Sequence, residues 1–142
     1  MSSRRKGREL AIQMLYQLDM VRAGVDEAIK SFWISQEKMP PDDTKEFCEE
    51  LVKGTFEHSE EIDRLIEETS SNWRLSRMPV VDRNVLRMAV YEMLYRDDIP
   101  FTVTINEAID LGKKFGSEDS GAFINGVLDK ISERVPKKIL TL

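Results

Sequence analysis

The chain has 142 residues, 41% of them hydrophobic, enough for one domain with a real core and too few for two independent enzymatic domains. Its one cysteine, Cys48, excludes an internal disulfide, and its one histidine, His58, leaves no Cys/His cluster for zinc, so no metal or cofactor is expected. The net charge is −5, yet residues 1–8 carry Arg4, Arg5, Lys6 and Arg8 with no acid, so they hold +4 and leave −9 for the rest. A short basic arm on an acidic body would meet phosphates on one face only. No run of eighteen apolar residues and no leader with a cleavage site is present, so the expectation is a cytoplasmic protein with no membrane contact.

From Arg8 onward, Ala11, Met14, Leu15, Leu18 and Val21 follow helical spacing, and Ala23-Gly24 supplies a stop near Arg22. Arg5, Arg8 or Glu9, Ile12 and Tyr16 form a second stripe on the flank of the first. If the helix reaches back to Arg5, cations there and the Tyr16 ring would share a surface about 16 Å long. A tyrosine can stack on an unpaired base; it can equally be a core-edge ring with its hydroxyl in water.

Asp26 is a candidate cap for a second helix to about Gln36, with Ala28, Ile29, Phe32 and Trp33 inward, and Pro40-Pro41 breaks it. Asp42 or Asp43 would cap a third, in which Phe47, Cys48, Leu51, Val52 and Thr55 or Phe56 share a face. Cys48 reads as core and His58 as a helix-end residue. Ser59 with Glu60 and Glu61 opens a fourth helix through Ile62, Leu65, Ile66 and Thr69, ended by Ser70-Ser71-Asn72. Residues 73–79 read as a connector pinned by Trp73, Leu75 and Met78, with Arg74 and Arg77 either solvated or in reach of RNA.

From Val80 to Tyr95 apolar residues cover well over half the circumference, which marks a central, mostly buried helix. After Pro100, residues 105–131 form a helical hairpin around Gly-Ser-Glu-Asp-Ser. Thr104 and Glu107 have capping-box spacing, and Gly116 sits where a left-handed residue would end the first arm. Gly126, costing about 1 kcal/mol relative to alanine in mid-helix, is expected where another helix comes very near. Pro136-Lys137-Lys138 ends the last helix, followed by a loose tail.

No strand pattern, phosphate-binding glycine loop, or Ser/His/Asp set is visible, and the acids alternate with Lys and Arg on outward faces, so an enzyme is not expected. The hairpin segments Asn106-Glu107-Ala108-Ile109, Phe115-Gly116-Ser117-Glu118-Asp119-Ser120 and Phe123-Ile124-Asn125-Gly126-Val127-Leu128-Asp129 resemble the C-terminal signature of the bacterial NusB family of transcription antitermination factors. Asp82-Arg83-Asn84-Val85-Leu86-Arg87 with Tyr91-Glu92, and Arg8-Glu9-Leu10-Ala11 with Leu15-Tyr16, resemble it too, in the expected order along nearly the whole chain.

The resemblance implies an all-α fold of about seven helices in two small perpendicular bundles, an N-terminal subdomain of about residues 1–58 and a C-terminal one of about 59–142. It implies binding of boxA-type single-stranded leader RNA together with NusE, a small-subunit ribosomal protein, and read-through by RNA polymerase in the antitermination complex. On that resemblance Arg4, Arg5, Lys6, Arg8 and Tyr16 would form the RNA face, with Asp119 and Phe123 beside it and Lys113 and Lys114 near. Asp119 would accept from a base amino or sugar hydroxyl, and Asp82 would face a partner. Lys113 and Lys114 equally suit a helix C-terminus, and Phe123 equally suits a core. Two other readings stay open: a stand-alone helical protein-interaction module, and an RNA-binding module related to ribosomal RNA cytosine methyltransferases. Monomer and homodimer are not distinguished.

Overall fold

A computed structural model describes residues 3–21, 24–70 and 74–138. Among the described residues there are seven α-helices, one short 3₁₀ turn and no strand. The chain divides into two compact units, Met1–Glu57 and His58–Leu142.

The first unit holds α1 (Ser3–Met20), α2 (Val25–Ser35) and α3 (Asp42–Glu57). Leu10, Ala11, Met14 and Leu15 of α1 pack with Phe47, Cys48, Leu51 and Val52 of α3, while Ile29, Phe32 and Trp33 of α2 are buried as well. The Trp33 indole N–H donates to Glu49 Oε2 at 2.7 Å, which satisfies its one polar atom. The helix does reach back past Arg5, so the basic segment is the first turns of α1 and not an arm. Val21 departs from the expected stripe, at 65% exposed, because it lies one residue beyond the helix. The expected stop at Arg22 and Ala23 lies outside the described residues. The Pro41 carbonyl accepts the Lys45 N–H at 3.0 Å, and Asp43 Oδ1 accepts the first-turn Thr44 N–H at 2.9 Å; both acids sit where the macrodipole favours them. Likewise α2 starts after Gly24, one residue before the expected Asp26 cap.

The second unit holds α4 (Ser59–Thr69), the 3₁₀ turn (Leu75–Arg77), α5 (Val80–Tyr95), α6 (Phe101–Phe115) and α7 (Ser120–Arg134). Helix α5 touches α4, α6 and α7 and supplies Val85, Leu86, Met88, Ala89, Val90 and Met93 to the core, as its apolar circumference requires. Helix α6 begins four residues earlier than the capping-box reading has it. Pro100, at φ −62, occupies the cap position, so Thr104 is inside the helix and buried, donating to Glu92 Oε1 at 3.0 Å. His58, not Ser59, is the cap residue of α4, and its ring stacks on Tyr95 with centroids 4.1 Å apart. The ends of this helix at Ser71 and Asn72, and Trp73 of the connector, lie outside the described residues, as does the tail from 139 to 142. Lys138 is not loose: its ammonium donates to the carbonyls of Glu92, Arg96 and Ile99 at 3.0, 2.6 and 2.6 Å and so caps the C-terminus of α5. Burial pushes its pKa below the ordinary lysine value, against the opposing pull of Glu92, Asp97 and Asp98.

Candidate nucleic-acid interface

In the first unit, the surface of α1 is set by one close approach. A Cβ on Gly7 would stand 2.9 Å from Phe47 Cδ2 and 3.3 Å from the Thr44 carbonyl oxygen, so only glycine lets α1 lie this near α3. Phe47 then sits beneath two guanidiniums, those of Arg4 at 5.4 Å and Arg8 at 5.3 Å from its ring centroid. Ser3 ties the same end to α3 by donating to Asp43 Oδ2 at 2.9 Å. Arg4, Arg5 and Lys6 are exposed, but Arg8 is only 3% exposed. The cation over Phe47 is thereby held in the packing of the unit, and the accessible basic set is three residues, not four.

Tyr16 is 43% exposed. It lies eleven residues after Arg5, about three helical turns and roughly 16 Å along the axis, within some 20° of the same azimuth. Between them Glu9 and Ile12 are buried, so the stripe is open at its two ends and sunken in the middle. A ring at one end and cations at the other give a strand a place for a base and a place for phosphates.

In the second unit, Lys113 and Lys114 lie in the last turn of α6 and Asp119 and Phe123 at the start of α7, on the two sides of the α6–α7 turn. A Cβ on Gly112 would stand 2.6 Å from Ile124 Cδ1 and 3.5 Å from the Gly121 nitrogen, so the two glycines mark where these helices touch. The stem of Lys113 runs over Gly121, its Cγ 3.2 Å from where a Cβ would be, and Lys114 Nζ lies 5.5 Å from the Phe115 ring centroid. Asp119 takes the cap position of α7 without a side-chain cap bond, and it is exposed. Phe123, one turn on and half-buried, follows on the same side, its N–H bonded to the Asp119 carbonyl at 3.2 Å.

Ser120, which the sequence reading passed over, organises that turn. Its hydroxyl donates to Asp82 Oδ1 at 2.6 Å and accepts the Ser117 N–H at 3.0 Å. Asp82 is therefore no partner-facing residue: it is 3% exposed and anchors the turn to the first turn of α5. Gly116 is also not left-handed, with φ −100 and ψ −152; a side chain there would strike Ser120. Gly126, expected at a close contact, has nothing within 4 Å of a Cβ position. Ile124, Val127 and Leu128 on either side of it face the core, and Gly126 faces outward.

Among the described residues no group of three or more His, Cys, Asp or Glu could hold a metal, and no helix is long and apolar enough to cross a membrane. The class these observations define is an all-helical protein whose candidate site lies on helix surfaces. The NusB family model matches residues 5–133. The chain is 52% identical over 140 residues to the transcription antitermination protein NusB of Myxococcus xanthus, covering 96% of this chain and 99% of that one. It is 53% identical over 137 residues to the protein of the same description from Anaeromyxobacter dehalogenans strain 2CP-1, covering 96% and 95%. Among solved structures, T. maritima NusB is similar at a TM-score of 0.83 with 36% identity, covering 94% of this chain and 92% of that one. A NusB crystallised with NusE and double-stranded RNA is similar at 0.86 with 30% identity, covering 95% and 99%. The chain belongs to the NusB family, and with it to the transcription antitermination proteins and not to the enzymes.

Proposed function

We propose that this protein captures a boxA-type single-stranded leader RNA together with NusE and helps RNA polymerase read through terminators, above all in ribosomal RNA operons. Such a role places it in the cytoplasm beside the transcribing polymerase. The observation that carries the reading is the exposure of Tyr16 on the same side of α1 as Arg5, in a chain whose total charge is −5. Arg4, Arg5 and Lys6 neutralise phosphates and Tyr16 stacks on an unpaired base. Arg8 holds Phe47 and so positions the other cations. Lys113 and Lys114 add charge from the second unit, Phe123 offers the edge of a ring, and Asp119 accepts from a base amino or sugar hydroxyl, since a carboxylate repels phosphate. The relative crystallised with NusE and double-stranded RNA supports NusE and an RNA as the classes of partner.

Titration of fluorescent boxA-like RNA, with and without NusE and against a scrambled sequence, tests this. Three neutralised phosphates on a single strand give a log–log salt slope near −2, about a twentyfold loss of affinity between 50 and 200 mM. Tyr16→Ala should weaken binding at every salt concentration by about tenfold, the worth of one base stack, without changing the slope. RNA binding that ignores salt, Arg5→Ala and Tyr16→Ala alike would overturn the assignment.

A further inference from the structure

The turn between α4 and α5 is cationic, rigid and unused by the interface above. Its two apolar side chains, Leu75 and Met78, are turned inward at 5% and 3% exposure, while Arg74, Ser76 and Arg77 are exposed. The backbone is held from three sides. Arg77 N–H donates to the Arg74 carbonyl at 2.9 Å and Met78 N–H to the Leu75 carbonyl at 3.1 Å. Glu67 Oε2 accepts the Leu75 N–H at 3.1 Å, and Arg83 Nη1 donates to the Leu75 carbonyl at 3.4 Å. Closing the Arg74–Arg77 bond brings those two Cα atoms within about 7 Å, a span in reach of successive phosphates on one strand. Neither exposed guanidinium is tied by its side chain to another described residue, whereas Arg87, Arg96 and Arg134 of the same unit are paired with Asp63, Asp98 and Glu68.

We propose that Arg74 and Arg77, with the Ser76 hydroxyl between them, form a second phosphate-binding contact, engaging the backbone of the RNA outside the segment read by α1; this rests on the RNA-binding reading above. Two guanidinium forks and a hydroxyl on a fixed turn are the donors that phosphate oxygens take, and they carry no base specificity. A protein partner is the weaker fit for residues 74–78, because Leu75 and Met78 are buried there and the exposed Arg74, Ser76 and Arg77 offer no aromatic or aliphatic anchor. Beneath the turn Arg83 and Glu67, both bonded to Leu75, bring opposite charges, so the exposed guanidiniums of Arg74 and Arg77 set its outward sign.

The test uses the full chain and a boxA-like RNA carrying flanking nucleotides on both sides, with Kd measured between 50 and 200 mM salt. Removing both cations in the double variant Arg74→Ala with Arg77→Ala should reduce the log–log slope by about 1.4, equivalent to roughly a sevenfold change across that range. Arg74→Lys with Arg77→Lys should restore most of the slope, since counterion release depends on charge, and RNA trimmed to the recognised segment should make wild type and double alanine variant alike. Both residues are exposed, and an unchanged thermal midpoint confirms folding. An unchanged slope on the flanked RNA overturns the contact. If Arg5→Ala flattens the slope while the turn variant does not, the turn fails and the α1 reading stands. If wild type binds no RNA, both fail. Loss of NusE binding with the RNA slope intact would assign the turn to protein and overturn the proposal as well.

Discussion

Both units bring two helices into contact at glycine, and they use the closeness differently. In the first, Gly7 lets α1 settle on Phe47, and the ring beneath carries the Arg4 and Arg8 guanidiniums. In the second, Gly112 and Gly121 seat Ile124 and the Lys113 stem, and a hydroxyl-to-carboxylate bond from Ser120 to Asp82 fixes the turn that displays Asp119. The first unit orders its cations by packing, the second by hydrogen bonding. The candidate site and the packing thus share the same atoms in each unit, and should fail for different physical reasons.

High pH should separate the units most strongly. Burial first, and Glu49 second, push the Cys48 thiol up to about 12, so the folded state keeps a proton that the unfolded state sheds from pH 9 onward. Stability of the first unit should therefore fall as pH rises through this window, by roughly 1.4 kcal/mol per unit and about 4 kcal/mol by pH 12. The difference between wild type and Cys48→Ala in urea melts at several pH values isolates this contribution. Lys138 in the second unit has the opposite sign. Its depressed pKa means that the folded state releases a proton first, so its contribution to stability rises with pH below the ordinary lysine value.

Next in size is Ser120→Ala, which leaves the buried Asp82 carboxylate without this donor and should cost about 2–3 kcal/mol, seen as a lowered urea midpoint. If the turn is held by packing as in the first unit, the loss will be under 1 kcal/mol. Gly112→Ala should cost about 1–2 kcal/mol after its gain in helix propensity, because Ile124 is fully buried and has little room to yield. Gly126→Ala, with open space at the same helical hairpin, should instead stabilise by about 0.5–1 kcal/mol in the same melts. Smallest is Thr55→Val in the first unit: the Thr55 hydroxyl oxygen is buried without a hydrogen-bond partner, and its removal should raise stability by up to about 1 kcal/mol.

Helix existence was plain from the sequence wherever apolar periodicity was strong, above all in α5, where Val85, Leu86, Ala89, Val90 and Met93 follow one another around the core. Helix starts were not, because Asp26, Ser59 and Thr104 have the chemistry of caps while the chain uses Gly24, His58 and Pro100. Proline at position 100 fixes a backbone angle that helix entry needs, and that advantage outranks a side-chain hydroxyl four residues on. Glycine posed a similar problem. Nothing local tells Gly126 from Gly112, since the deciding fact is whether a residue of another helix lies above it. Arg8 and Asp82 read as surface charges for the same reason: their burial depends on Phe47 and Ser120, each 38 or 39 positions away.

The ammonium of Lys138 has a temporal consequence. The three carbonyls it joins lie 39 to 46 positions earlier, so during synthesis the end of α5 goes without this cap until Lys138 has left the ribosome. The first unit ends at Glu57 and takes no part in these bonds. Helix α1, with Tyr16 and the cations of its first turns, therefore leaves the ribosome well before the cap on α5 can form.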